Sequence, residues 1–116
     1  MIARKNRVKI TPMIVHTPKP PYYAVIFTSQ RNTADPGGYD AMSEAMLKLS
    51  AQQPGFIGVE SSRNSDGLGI TVSYWTDLES IRGWKVESQH QDAQAKGKAL
   101  WYSDYRVRIC KVEREY

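Results

Sequence analysis

Three tryptophans, two histidines and a run of tyrosines near the end of the chain are the residues whose chemistry reaches beyond packing. Trp84 follows Leu78 and Ile81 at helical spacing, which makes it either a core indole or the wall of a cavity between a helix and a sheet. His90 is the one histidine inside the segment that reads as folded. An imidazole titrating at about pH 6.5 is suited to taking a proton near neutrality, and a surface histidine at a helix start is the plainer role. Trp75, Trp101, Tyr102 and Tyr105 gather around the ends of the last two strands, where they either line an aromatic-binding cavity or staple helix to sheet and subunit to subunit. Arg106 and Arg108 share a sheet face by period 2, opposite Val107 and Ile109. They suit an anionic substrate, or pairing with acids such as Glu60 across the sheet or a dimer interface.

Other chemistries find no footing. One cysteine, Cys110, and two distant histidines, His16 and His90, lack the ligand spacing of zinc or iron sites, so no metal is expected. Cys110 lies in an alternating segment and reads as a small core or sheet residue. Gly67-Leu68-Gly69 falls inside a hairpin without the helix start that a dinucleotide site needs. The formal net charge of +4 is local: residues 1–20 hold Arg4, Lys5, Arg7, Lys9 and Lys19 and no acid, against eleven basic and twelve acidic residues in the remainder. A nucleic-acid reader carries its charge on a folded face with stacking aromatics, so no DNA or RNA partner is expected. With a single cysteine, no cleavable apolar leader and no apolar run long enough to cross a bilayer, a cytoplasmic protein without a membrane partner is expected.

The elements that must position these residues fit one domain of 116 residues, 41% hydrophobic and 24% charged. Residues 1–21 end in Pro18, Pro20 and Pro21, which cannot donate to a ladder, and read as an extended basic arm; residues 22–116 read as the domain. Tyr22 to Gln30 is β-branched and aromatic, the first strand. After turn chemistry at 31–38, Tyr39, Met42, Ala45, Met46 and Leu49 recur at helical spacing up to Pro54-Gly55. Gly55 to Asn64 and Leu68 to Trp75 flank a Ser65-Asp66-Gly67 turn, an antiparallel hairpin. Thr76-Asp77-Leu78-Glu79 matches a capping box led by Thr76. The second helix should start there, break around Ser88 and resume from His90 to Leu100, with Ala93, Gly97 and Leu100 on one face. Tyr102 to Glu113 alternates as the last strand.

The order β-α-β-β-α-β is the split arrangement of an α+β, ferredoxin-like fold, a four-stranded antiparallel sheet with both helices on one side. No element is left to cover the other face. Two sheets packed face to face in a homodimer, a dimeric α/β barrel, are therefore expected.

The segments YYAVIFTS, GYDAM, PGFIGVESSR, GITVSYWTDLESIRGWK, SQHQDAQ and WYSDYRVRICKVEREY together resemble the antibiotic-biosynthesis monooxygenase domain family over roughly residues 22–116. The resemblance implies the dimeric barrel and, from the enzymes that gave the family its name, oxidation of a polyketide-like aromatic substrate by O₂ without a cofactor. In such chemistry the protein deprotonates or orients an electron-rich phenol and stabilises the anion. Trp84 would then be pocket wall, and His90 or a tyrosine the proton handler. The family's haem-degrading branch pairs an Asn in the first strand with a Trp in the second helix and a haem-ligating His ten residues further on. Trp84 matches the Trp, but the tenth position is Gln94 and YYAVIFTSQ has no Asn. His90 stands only six residues beyond Trp84, so haem ligation would need a kink near Ser88.

Three functions fit these residues. One is a cofactor-independent monooxygenase of a small aromatic or polyketide-like molecule, one a haem-binding or haem-degrading protein, and one a dimeric module that binds a small ligand without turnover.

Overall fold

The computed structural model describes residues 14–32, 36–94 and 101–116, and within them the side chains of all but residues 36, 37 and 89–94. The elements run β1 (Tyr22–Arg31), α1 (Pro36–Ala51), β2 (Phe56–Arg63), β3 (Leu68–Trp75), α2 (Leu78–Gln94) and β4 (Tyr102–Val112). The strands form one antiparallel sheet in the order β2-β3-β1-β4, the ferredoxin-like α+β arrangement expected from the sequence. β1 is a central strand, and its run of apolar and β-branched residues suits a position paired on both sides.

Period 2 divides the sheet into two faces. On one, Tyr23, Val25, Phe27 and Ser29 of β1 align with Trp75, Ser73, Thr71 and Gly69 of β3 and with Lys111, Ile109, Val107 and Tyr105 of β4. This is the helix side, because Trp75 stacks on Trp84 of α2 with ring centroids 6.2 Å apart. On the far side Tyr22, Ala24, Ile26 and Thr28 align with Tyr74, Val72 and Ile70 of β3 and with Val112, Cys110, Arg108 and Arg106 of β4.

Residues 14–21 carry no helix or strand and lie against one end of that far side. The Val15 N–H donates to Glu60 at 2.9 Å, and the Thr17 and Tyr22 hydroxyls both donate to Glu115 at 2.5 Å. Gly58 leaves room for Val15, whose Cγ1 would stand 2.6 Å from any added Cβ. At the other end of this face Leu68 and Ile70 are about half exposed.

Three local expectations are corrected. The PGG of the supposed turn belongs to α1, which starts at Pro36; a proline fits the first turn of a helix because its missing N–H would be unpaired there anyway. The cap of α2 is Asp77, not Thr76: its carboxylate accepts the Ser80 N–H at 2.7 Å, and a negative charge suits a helix N-terminus. That bond holds the Asp77 carboxyl below its ordinary value. Finally, α2 does not break at Ser88; it runs on to Gln94, and the Ser88 hydroxyl is absorbed by the Lys85 carbonyl at 3.0 Å. The face marked by Gly97 and Leu100 lies outside the described residues.

Candidate active site

The helix side of the sheet has two unlike ends. At the first, Trp75 is fully buried, meets Phe56 edge-on at 5.4 Å and stacks on Trp84, and its indole N–H donates to the Ser73 hydroxyl at 2.8 Å. Apolar surface is hidden and the one polar atom is paired, as in any core.

At the second end, Phe27, Tyr102 and Tyr105 from the sheet meet Tyr39 from α1. The Tyr102 ring lies 5.3 Å from Phe27, 5.9 Å from Tyr39 and 6.2 Å from Tyr105, and Trp101 sits 6.2 Å from Tyr39. The hydroxyls of Tyr102 and Tyr39 approach to 3.5 Å, a long contact. Burial, and then that contact, push the Tyr102 hydroxyl well above the ordinary phenol value, so at neutral pH it is a hydrogen-bond donor and not a base. Trp101 is buried, and its indole N–H has no acceptor among the described residues.

Two guanidinium groups flank the ring cluster. Arg31 lies 4.0 Å from the centroid of the Tyr39 ring, and Arg63 lies 5.8 Å from that of Tyr102. Arg63 starts on the edge strand β2 and crosses β3 to reach β1. It can do so because Arg63, Gly69, Ser29 and Tyr105 stand in one row across the four strands and the second of them has no side chain. A Cβ at Gly69 would lie 2.5 Å from the Arg63 Cζ. Nη1 donates to the carbonyls of Ser29 at 3.1 Å and Gly67 at 2.5 Å, and Nη2 to the buried Ser29 hydroxyl at 2.7 Å. Along the same face the Ser61 and Thr71 hydroxyls bond at 2.8 Å. The result is an aromatic lining with a few placed donors, the make-up of a small-molecule site.

Of the residues singled out in the sequence, Trp101, Tyr102 and Tyr105 come together here, Trp75 and Trp84 form the closed end, and Arg108 stands on the opposite face of the sheet. Arg108 lines a shallow open depression there with Thr28, Leu68 and Arg106. Arg106 lies 3.9 Å from Asp104 of its own strand, and Glu60 is held by Val15 and by the Tyr74 hydroxyl at 2.7 Å, so neither arginine pairs with Glu60. Position 90 belongs to the unbroken α2, about 120° round the axis from position 84, and the side chains of His90 and Gln94 lie outside the described residues. Cys110 is an exposed sheet residue opposite Ala24. Among the described residues no three His, Cys, Asp or Glu side chains gather as metal ligands, and no helix is long and apolar enough to cross a membrane.

Phe27, Arg31, Tyr39, Arg63 and Gly69 are site residues that sequence reasoning missed. Tyr39 read as one more apolar position of a helix. The Arg63–Gly69 pair was accessible through hairpin register, since a turn at 65–67 sets them opposite each other.

Comparison with known proteins gives the same fold. The family model described as antibiotic biosynthesis monooxygenase matches residues 26–96. The uncharacterized protein YqjZ of Bacillus subtilis is 52% identical over 99 residues, spanning 85% of this chain and 86% of its own. The jasmonate monooxygenase ABM of Pyricularia oryzae is 27% identical over 92 residues, and the match spans 78% of this chain but 43% of that longer enzyme. Among solved structures, SnoaB, a cofactor-independent oxygenase from Streptomyces nogalater, superposes with a TM-score of 0.67 at 17% identity over 83% of this chain and 97% of its own. That last likeness speaks for the fold.

Proposed function

The chain belongs to the antibiotic biosynthesis monooxygenase family, and on that premise we propose that it oxidises a small, electron-rich aromatic or polyketide-like molecule with O₂ and no resident cofactor. The observation that carries this reading is the cluster of Tyr39, Tyr102, Phe27 and Tyr105 between α1 and the sheet, apolar except for three hydroxyls and the two flanking guanidinium groups. A phenol held there loses its proton to a base, gives electrons to O₂ and keeps one oxygen atom. The products are a quinone and water, so one O₂ is consumed per substrate and no outside reductant is needed. Tyr102, with its hydroxyl kept protonated, serves as donor to the developing oxyanion. His90 on α2 remains the candidate base, while Trp84, stacked on Trp75, closes the other end of the helix side.

The working unit in this proposal is a homodimer in the cytoplasm. The half-exposed Leu68 and Ile70 of the far side, continuous with Ile26 and Val72, support a second sheet packed there.

The test is oxygen uptake by metal-stripped protein on a panel of polyhydroxylated naphthalenes. Uptake above the spontaneous rate, undiminished by chelator and reduced about a hundredfold in Tyr102→Phe, is the expected result for loss of one oxyanion donor. Uptake at only the spontaneous rate, with saturable binding, would leave a ligand-binding module instead.

A further inference from the structure

The Arg63 guanidinium has an unusual position for a cation. It lies on the inner face of the sheet, reaching over Gly69 from the edge strand, and every acceptor it has is neutral: the Ser29 and Gly67 carbonyls and the Ser29 hydroxyl. No carboxylate among the described residues pairs with it. A guanidinium has five N–H donors, and these three bonds leave Nε–H and one Nη2–H without a partner among the described residues. Those two lie on the side-on edge that grips a carboxylate with two parallel bonds.

Tyr39, whose ring lies 5.9 Å from that of Tyr102, also meets Trp101 at 6.2 Å, and the buried indole N–H of Trp101 is a second donor without an acceptor among the described residues. Leaving such a group unpaired in a folded protein is costly, and it is retained where a ligand supplies the partner. The Tyr102 hydroxyl donates to that of Tyr39 at 3.5 Å, which leaves the Tyr39 O–H as one more donor. One end of the cluster therefore offers donors and positive charge, while the rings of Phe27 and Tyr105 offer an apolar bed.

We propose that this end is a subsite for a carboxylate, so that the molecule taken by the cluster is an apolar organic acid whose acid group is gripped by Arg63 and the Trp101 N–H. The inference rests on reading the cluster as the substrate site, and it adds the substrate's charge. Gly69 is the positioning residue: it bears no functional group, and its lack of a Cβ is what lets the cation lie across the sheet. Its test is selective for that reason. Gly69→Ala adds one methyl group at a strand position with ordinary backbone angles and displaces the flexible end of Arg63 without removing its charge.

The experiment is a calorimetric titration of the full chain with 4-phenylbutyrate and with 4-phenylbutan-1-ol, which differ only in the acid group. The acid should bind about tenfold tighter, as a charge-assisted pair predicts. Gly69→Ala and Arg63→Gln should each reduce that preference to about twofold or less, and Trp101→Phe should reduce it partway, while Arg108→Gln on the opposite face leaves it intact. Should Arg63→Gln fail to fold, Gly69→Ala answers the same question. Equal binding of acid and alcohol, binding of neither, or a preference that survives both Gly69→Ala and Arg63→Gln overturns the subsite. Oxygen uptake on neutral phenols with no preference for acids would retain the oxygenase and remove the subsite. Selective acid binding with no oxygen uptake on any substrate would do the reverse.

Discussion

Trp75 and Trp101 are both buried on the helix side of one sheet, yet among the described residues only Trp75 finds a partner for its indole N–H. Around Trp75 the fold is closed: Phe56 and Trp84 cover the ring, and Ser73 accepts its one donor. Around Trp101 donors accumulate without acceptors among the described residues, from the indole itself to the two remaining N–H groups of Arg63. Aromatic residues of the same type, in the same layer, thus serve core and site, and hydrogen-bond accounting separates them where burial does not.

The comparison breaks most visibly at its closed end. Trp75→Ala should cost about 3–5 kcal/mol in urea unfolding, because it empties a fully buried indole site between β3 and α2. A loss under about 1 kcal/mol would mean that this end is not the core it looks like. Ser73→Ala should cost about 1–2 kcal/mol by leaving the Trp75 N–H unpaired. Trp101→Phe should fall within about 1 kcal/mol of wild type, since it removes a donor that has no partner among the described residues. If Ser73→Ala and Trp101→Phe cost the same, the distinction between the two indoles fails.

Smaller effects are expected where the arm meets the far side. Hydrogen bonds from Thr17 and Tyr22 hold the Glu115 carboxyl below its ordinary 4.5. A depressed carboxyl stabilises the fold above its unfolded value and loses that contribution as pH falls through the folded one, so the effect is constant at neutrality and disappears below about pH 4.5. Urea midpoints measured from pH 7 down to 3 should therefore fall less steeply in Glu115→Gln than in wild type. The Tyr74 hydroxyl is pushed up to about 12 by burial and then by its bond to Glu60. A raised phenol contributes fully below its unfolded value of 10.0 and loses that contribution as pH rises through about 12. Tyrosinate absorbance should show late-titrating groups, one of which moves toward 10.0 in Glu60→Gln.

The strands were legible in the sequence because alternation and β-branching are local signals, and the hairpin at Ser65-Asp66-Gly67 closes as read, with Gly67 at φ +100°. The continuity of α2 was not, because Ser88 interrupts the apolar spacing while its hydroxyl bonds back to Lys85 and costs the helix little. Thr76 and Asp77 compete as caps from adjacent positions, and the carboxylate prevails. In the site, Tyr102 and Tyr105 stood out as aromatics in a strand. Arg63 did not, because its reach to Ser29, 34 positions away, exists only once β3 is known to lie between them with a glycine at the crossing point. Arg108 attracted attention as a cation in an alternating strand, and its phase sets it on the face away from the rings.

Turnover under ¹⁸O₂ with metal-stripped protein and a polyhydroxylated naphthalene carrying a carboxylate shows whether O₂ and the substrate suffice. Oxygenation by the substrate's own electrons should leave one labelled oxygen atom in the quinone and one in water, with one O₂ consumed per product and no reductant added. Unlabelled product, or turnover that appears only when haem or an external electron donor is supplied, would contradict it.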